Sequence, residues 1–547
     1  MNRSRTRSRA LVAMAGVLAL AVLTGCNTGG PGKGFAGSTA LTIMTPAAKS
    51  NVDKVTWNVF EGEPQTVDPF KSADYTPNMI NSNMCENLLT QTPEFQIKPN
   101  LASSYTNPDP LHWVYNLRSD VTFWDGTPMT ADDVAWSLNH NLTDKTTFYN
   151  YLYTNVAKVA VTGAHQVTVT LSRPDYLFNQ ELASYAGVVV QKKFYTEHAA
   201  TVGAPSVGVM CTGPFKFGKW IQGQSITLTR NDHYWNKDLQ PKVGTLVFTF
   251  LTDDSSITSG LLAGQIDGTF NVPTPSLVQL KNSPVGNMYM GPAPINLTMV
   301  YANPAGPMSN PDMRKALQLA VDWNGLGKQT FSGTATPIKL QTPKTVFGFA
   351  DKDLAALEDS LPAPASAQDE EAKKYVAKVP ANIRSQKIVM VVTDVPETQQ
   401  LGLAIKDAAN RIGLNFELKV VPSTGYSNYL YDPKTRAGVD ILYTQFWPNI
   451  PDPLDWLATT AVSGGLFNQY GYSGVDDLFA KARGTADPVE RAKLTAQIEA
   501  KLHDGLLPMV PGLLVDNTVW MNKRITGAPA SFSYVYYPWA AYLGGTQ

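Results

Sequence analysis

The chain reads as a mixed α/β protein in more than one lobe. Strand-like and helix-like stretches alternate along most of its length, and no short repeat recurs. At about 150 residues per domain, 547 residues are enough for three to four domains. Val55-Thr56-Trp57-Asn58-Val59 alternates apolar and polar, as in a strand with one buried face. Trp113, Tyr115 and Leu117 share a face of a second strand, and Val121-Thr122-Phe123 continues after a turn. Asp125-Gly126 turns the chain again. Thr130 with Asp133 then forms a capping box, opening a helix with Ala131, Val134, Ala135 and Leu138 inward. Val167, Val169 and Leu171 line another strand. In the second half, residues 388–392 read as a buried strand. Leu401, Ala404, Ile405, Ala408 and Ile412 recur at helical spacing, with Gly413 in the position of a C-cap glycine. Leu414, Phe416, Leu418 and Val420 alternate as the next strand. A later helix starts at Asp487-Pro488, with Glu490 completing its cap and Leu494, Ile498 and Leu502 on one face.

Composition narrows the function. Hydrophobic residues make up 43%, which excludes a disordered chain. Lys+Arg minus Asp+Glu is 44 − 45 = −1, leaving no basic excess to hold a nucleic-acid backbone. At the N-terminus Arg3, Arg5, Arg7 and Arg9 precede an apolar run over residues 10–23. That run is shorter than the roughly 20 residues of a membrane-spanning helix, and suits the core of an export signal. Leu23-Thr24-Gly25-Cys26 resembles the lipobox of bacterial lipoproteins. The resemblance implies cleavage of residues 1–25 and acylation (palmitate among the chains) of Cys26; the alternative is an ordinary signal peptide with an incidental Cys. Cleavage leaves 547 − 25 = 522 residues and a formal charge of 40 − 45 = −5. No two arginines adjoin, which argues against a twin-arginine signal. Residues 26–53, with Gly29, Gly30, Pro31, Gly32, Gly34 and Gly37, read as a flexible linker. Their match to G-x-G-x-x-G, from Gly32 to Gly37, lacks the strand and helix that fingerprint needs. Cys85 and Cys211 remain; outside the cytoplasm they either bridge or stay as two buried thiols.

Enzyme signatures fail. Six histidines are scattered, the closest pair (His140 and His165) 25 positions apart, so no short metal-binding spacing exists. No G-x-S-x-G and no S-x-x-K occurs. Gly213 to Lys219 does read G-x-x-x-x-G-K. Trp220 stands where Ser/Thr would hold magnesium, however, and Phe215-Lys216-Phe217 alternates like a strand. No cofactor and no metal is expected. A secreted hydrolase with a dispersed catalytic site is the rival from another class.

One resemblance spans nearly all of the remaining chain. Glu63-Pro64-Gln65-Thr66-Val67-Asp68-Pro69, Glu86-Asn87-Leu88-Leu89, Pro99-Asn100-Leu101-Ala102, and Leu117-Arg118 with the stretch from Val121 to Val134 occur in order. Thr212-Gly213-Pro214-Phe215, Arg230-Asn231 with Tyr234-Trp235, Gly264-Gln265-Ile266-Asp267, and Arg314, Ala316 and Asp322 follow. Together they resemble the family 5 extracytoplasmic solute-binding proteins, the peptide- and nickel-binding lipoproteins of ABC importers. Read alone, Asp68-Pro69 is a turn, Tyr234 and Trp235 are lobe core, and Arg314 and Asp322 are ion-pairing residues. The resemblance implies a two-lobed periplasmic-binding-protein type II (Venus-flytrap) fold with an inserted subdomain and a hinge. Lobe I would comprise 53–80, 206–295 and 516–547, subdomain II 81–205, and lobe III 296–515. It further implies a monomeric receptor at the extracytoplasmic face, held by its N-terminal lipid only. Its partners would be a peptide or other small solute, an ABC permease and a cytoplasmic ATPase, with no nucleic acid.

The stretch Phe446-Trp447-Pro448-Asn449-Ile450-Pro451-Asp452-Pro453 bears most on the ligand. Peptide-binding members of the family place an Asp three residues before the D-P pair, where it salt-bridges the peptide's amine; here that residue is Asn449. An amide cannot neutralise an ammonium, and a buried unpaired charge is costly. Either Asp452 or Glu63 takes over, or the amine is absent or blocked, or the ligand is not a peptide. A metal chelate, a tetrapyrrole or an oligosaccharide are the alternatives, and a ligand sensor is another role for the same scaffold. Phe446 and Trp447 are candidate pocket walls, and Asn468, Gln469 and Tyr470 lie in a polar loop that could face the cleft. The expected ligand-binding set is Glu63, Gln65, Phe446, Trp447, Asn449, Asp452, Asn468 and Tyr470. The resemblance also suggests that a Cys85–Cys211 bridge would lie close to the interlobe region.

Overall fold

The alternation around Trp57 produces the strand Val52–Asn58, which pairs in parallel with Val243–Thr249 and Gly268–Phe270. The computed structural model describes residues 40–362 and 366–547, and among these an eleven-stranded mixed sheet is the backbone of the molecule. Its order is Phe215–Ile221, Ser225–Arg230, Val243–Thr249, Val52–Asn58, Gly268–Phe270, Leu513–Asn522, Gly286–Tyr301, Ile441–Phe446, Lys387–Thr393 and Asn415–Val421. Ala335–Pro337 pairs beside Leu513–Asn522. Trp57, Phe248 and Phe270 are fully buried where the first half of the sheet packs. Gly268 has no Cβ because one would lie 2.4 Å from the Trp57 ring.

Two strands belong to both halves of this sheet. Gly286–Tyr301 pairs with Leu513–Asn522 between Gly286 and Leu297 and with Ile441–Phe446 between Asn296 and Tyr301. The pairing register shifts between Gly291 and Ile295, across Pro292 and Pro294, which have no N–H to give to a ladder. Gly291 itself sits tight, since a Cβ there would fall 2.2 Å from the Ala530 backbone.

A second, antiparallel sheet of Ala102–Asp109, His112–Leu117, Gln166–Leu171 and Val156–Gly163 carries the helix Ala131–Thr143 on one face. Its strands bury alternate residues, as one-sided sheets do. The capping box is present: Thr130 Oγ1 accepts from Asp133 N, and Thr130 N donates to the Asp133 carboxylate. In the second half the sequence-predicted unit forms as Lys387–Thr393, the helix Pro396–Arg411 and Asn415–Val421, with Gly413 at φ +83°.

Four expectations change. Residues 121–123 form no strand of their own: Thr122 bridges only to Pro128 across the Asp125-Gly126 turn, and Pro128 cannot extend the ladder. Glu490 does not complete the cap of Pro488–Gly505; Asp487 accepts from Val489 N, and Glu490 pairs with Lys481 at 3.8 Å instead. Arg314 is no ion-pair partner of Asp322. It is buried and donates to the carbonyls of Met308, Ser309 and Gly505, while Asp322 caps the helix Trp323–Gln329. Residues 40–53 are not a free leash. Thr42 N donates to Met290 O, Thr45 N to Ala528 O and Lys49 N to Gly545 O, fixing the segment to the first half of the sheet. The signal sequence, Cys26 and the glycine-rich stretch lie outside the described residues.

Candidate functional site

Many of the signature residues converge on one buried carboxylate. Glu86 accepts from Thr212 Oγ1, Tyr234 Oη and Trp235 Nε1, each at 2.8 Å. Arg118 stacks over Trp235 with 4.4 Å to the ring centroid. Burial raises the Glu86 pKa and these donors lower it again. Cys85 and Cys211, one residue before Glu86 and Thr212, are joined by a disulfide with Cα atoms 5.0 Å apart. Four separate sequence stretches are thus tied at one point. A cavity of about 530 Å3 lies beside it, lined in part by Cys85, Arg118 and Tyr537.

The loop after Ile441–Phe446 is tied just as closely to the first half. Asn449 Nδ2 donates to Tyr151 Oη at 2.7 Å and to Asp455 Oδ1 at 3.1 Å. Asn449 N donates to Asp455 Oδ2, Asn449 O accepts from Gln91 Nε2, and Tyr536 Oη donates to Asn449 Oδ1 at 3.4 Å. Beside this knot Asp455 faces Glu181. Neither Glu181 oxygen has an N–H or O–H donor among the described residues, so a bond between the two carboxyls needs a shared proton. Burial pushes Asp455 up to about 6 and, with the Asp455 charge adding to it, holds Glu181 well above the usual carboxylate range. Arg483 Nη2 reaches Asp175 at 2.7 Å, and Tyr176 N donates to Arg483 O. These contacts join residues 446–483 to Gln91, Tyr151 and the segment 175–181.

The predicted site residues divide accordingly. Asn449 is brought to the meeting of the two halves, with every amide atom committed to protein partners. Trp447 is half-buried. Phe446 packs inward on Trp456 and Phe467, ring centroids 5.0 and 4.5 Å away. Asp452 caps the helix Pro453–Thr460 through Leu454 N, and burial pushes it up to about 6. Asn468 locks its own loop, donating to the carbonyls of Ala461, Val462 and Tyr472 and accepting from Tyr472 N. Tyr470 is half-buried with Arg314 as a charged neighbour. Glu63 accepts from Trp220 Nε1 at 2.6 Å and Gly223 N at 2.9 Å, and so belongs to that turn; Gln65 is exposed nearby in sequence.

Residues that the sequence did not single out surround Trp447. Trp447 lies 4.0 Å (ring centroids) from Tyr75 and 5.9 Å from Phe532. Tyr75 also meets Phe60 at 5.4 Å and Phe532 at 5.6 Å, and Phe532 meets Tyr534 at 4.9 Å. The far half supplies Trp447; the near half supplies the other four. Glu61 and Asp74 adjoin Phe60 and Tyr75 in the chain, and both are exposed. Crowding by the neighbouring protein, then the Asp74 charge, nonetheless pushes Glu61 up to about 8, and the same crowding raises Asp74. Tyr431, from the far half, is pushed up to about 12 by burial and by Asp74. A local signal for this set existed only as the adjacent pairs Phe60-Glu61 and Asp74-Tyr75.

Among the described residues no group of three or more His, Cys, Asp or Glu could hold a metal ion, and no helix is long and apolar enough to cross a membrane. Residues 96–468 match the profile of the bacterial extracellular solute-binding proteins, family 5 Middle. The glutathione-binding protein GsiB of Escherichia coli (strain K12) is 24% identical over 473 residues, covering 84% of this chain and 89% of that protein. The structure of the PBP AgaA from A. tumefaciens R10 in complex with agropinic acid superposes with a TM-score of 0.76. It has 23% identity and covers 90% of this chain and 99% of that one. The ABC transporter-associated periplasmic binding protein DppA from Helicobacter pylori, in complex with the peptide STSA, gives 0.77 at 17% identity, covering 91% and 99%.

Proposed function

Because the chain belongs to the bacterial extracellular solute-binding proteins of family 5, the solute-binding components of ABC importers and not enzymes, we propose that it is a lipid-anchored monomeric receptor. It captures a peptide between two closing lobes and delivers it to a membrane permease driven by a cytoplasmic ATPase. The observation that carries this is the aromatic meeting of Trp447, in the loop after Ile441–Phe446, with Tyr75 of the helix Tyr75–Asn81 and Phe532 of the C-terminal segment. A ligand that touches both halves stabilises only the closed arrangement, and that differential contact is what drives closure. The register shift from Gly291 to Ile295 is the hinge in this reading, with the lobes parting near residues 295 and 515. Cys26, acylated after removal of residues 1–25, supplies the anchor.

A second reading, a non-peptide solute, is favoured by one feature. Asn449 stands where peptide-binding relatives have an Asp, and its amide is already spent on Tyr151, Asp455 and Tyr536. AgaA, with its bound agropinic acid, is a relative by fold that holds a non-peptide.

The test is native mass spectrometry of the protein purified from membranes in detergent, as isolated and after incubation with a defined peptide pool. Bound masses resolving into intact peptides of mixed sequence support peptide capture. A single non-peptide mass with no uptake from the pool favours the second reading, and peptides returned cut would sink both. Metabolic labelling with an alkyne palmitate addresses the anchor: label on the parent and none on Cys26→Ser is expected.

A further inference from the structure

Glu61 and Asp74 form an acid pair with no cation to balance it. Neither carboxylate has an ion-pair partner among the described residues. Asp74 stands at the N-cap position of Tyr75–Asn81 without a side-chain cap hydrogen bond, and Glu61 faces only the backbone N–H groups of Tyr75 and Thr76. Both are exposed, and both flank the rings that close on Trp447.

The phenols around them supply the independent sign of a missing ligand. Tyr75 is 9% exposed and Tyr534 1%, yet neither hydroxyl has a hydrogen-bond partner among the described residues. Both phenols feel the Glu61 charge, and Tyr75 also feels Asp74. Neither oxygen is wholly sealed from solvent, so two phenols without a protein partner near one carboxylate leave room for a guest that can bond to them. Tyr431 completes the surround from the far half, facing Asp74. Aromatic faces attract a cation through the ring quadrupole, most strongly for Trp and where water is displaced.

We propose that the solute taken between the lobes carries a cationic nitrogen, an ammonium or a guanidinium, held by Glu61 and Asp74 against the faces of Tyr75 and Trp447. This rests on the receptor reading above and moves charge recognition away from Asn449, which has no free atom to give, to the opposite wall of the cleft.

A cation must draw Glu61 into its ionised form. Because the free carboxyl sits at about 8, capture below that pH releases a proton, and affinity rises about tenfold per pH unit from 6 toward 8. Asp74, Tyr75, Tyr534 and Tyr431 are the other titratable groups facing the pair. The phenols stay neutral throughout this range because all three are raised above the ordinary tyrosine value, Tyr431 in part by the Asp74 charge.

The experiment is isothermal titration of the detergent-purified full-length protein. Three tripeptide pools are used: free-amine, N-acetylated neutral, and N-acetylated carrying one Arg. Arg keeps its charge at every pH used, so any slope with pH in that pool belongs to the protein. Binding of at least one charged pool, thirtyfold or more over the neutral pool, is expected. The Glu61→Gln/Asp74→Asn protein should bind tenfold or more weakly and lose the pH slope. Asp74→Asn alone provides a milder variant, and the pH slope of the parent needs no variant. Equal binding of the neutral pool by parent and double variant would overturn the cation assignment and leave the receptor standing. If no pool binds, the solute that co-purifies decides. A cationic one upholds the assignment, a neutral or anionic one overturns it alone, and no solute at all overturns both readings.

Discussion

The relation of Asn449 to Asp455 makes the substitution Asn449→Asp a sharp test. Family resemblance alone suggests that it would install an amine-binding carboxylate. The structure says it would set a carboxylate against another one. The Asn449 Nδ2 to Asp455 Oδ1 distance is 3.1 Å. Two unit charges at that separation repel by about 5 kcal/mol at an effective dielectric of about 20. The pair escapes part of this by taking up a proton. Asp455 already sits at about 6, so protonating it at pH 7.5 costs about 2 kcal/mol. Protonation is the cheaper route and sets the expected loss. The hydrogen bonds to Tyr151 and Tyr536 survive with roles reversed or unchanged, because each phenol can donate.

With an unfolding entropy of about 2 cal/mol/K per residue over roughly 500 residues, 2 kcal/mol lowers the melting midpoint by about 2 °C. The introduced acid has a raised folded pKa. Because the loss is the cost of keeping Asp455 protonated, it is absent below about 6 and grows as pH rises above that value. Differential scanning fluorimetry at pH 5 and pH 7.5 should show parent and variant nearly together at the lower pH and separated at the higher one. A variant as stable as the parent at pH 7.5, or one that gains affinity for free-amine peptides, would refute the reasoning.

Three further outcomes follow from the same geometry. Glu181 and Asp455 both have raised folded values, so the stability they provide is full at acid pH and lost as pH rises through about 6 and beyond. Glu181→Gln should flatten the fall in melting midpoint between pH 5 and pH 8, and an unchanged slope would count against the pair. Cys85→Ser opens a loop closed over a sequence separation of 126; the chain-entropy model gives a loss of up to about 5 kcal/mol, read by urea denaturation, and no shift in midpoint would contradict a bridge. Gly286→Ala would push a Cβ to within 1.9 Å of the buried Trp520 ring, whose Nε1 donates to Leu280 O. Overpacking of this kind costs about 1–3 kcal/mol, and a neutral substitution would show that the strand shifts freely there.

What could be read in advance was what a short stretch decides for itself. Thr130 and Asp133 cap each other within one helical turn, and residues 388 to 420 alternate and repeat at periods set by their own backbone, so both appeared as expected. Resemblance could not give the state of Asn449, because a hydrogen-bond partner such as Tyr151 is 298 residues away and leaves no local trace. Arg314 misled for the same reason: its carbonyl partner on Gly505 is 191 residues distant. The segment 40–53 carried a signal that averaging concealed. Every glycine of 26–53 falls at or before Gly37, and from Leu41 onward the composition is no longer that of a linker. Glu61 and Asp74 are the instructive case. Each alone is an ordinary surface acid, marked only by the aromatic residue beside it in the chain. Their meaning comes from four rings at 60, 75, 447 and 532 that only the folded sheet brings together. A recess that is acidic yet walled by aromatics weakens the ionised state of its own carboxylates, and that cost is tolerable in a receptor if an arriving cation offsets it.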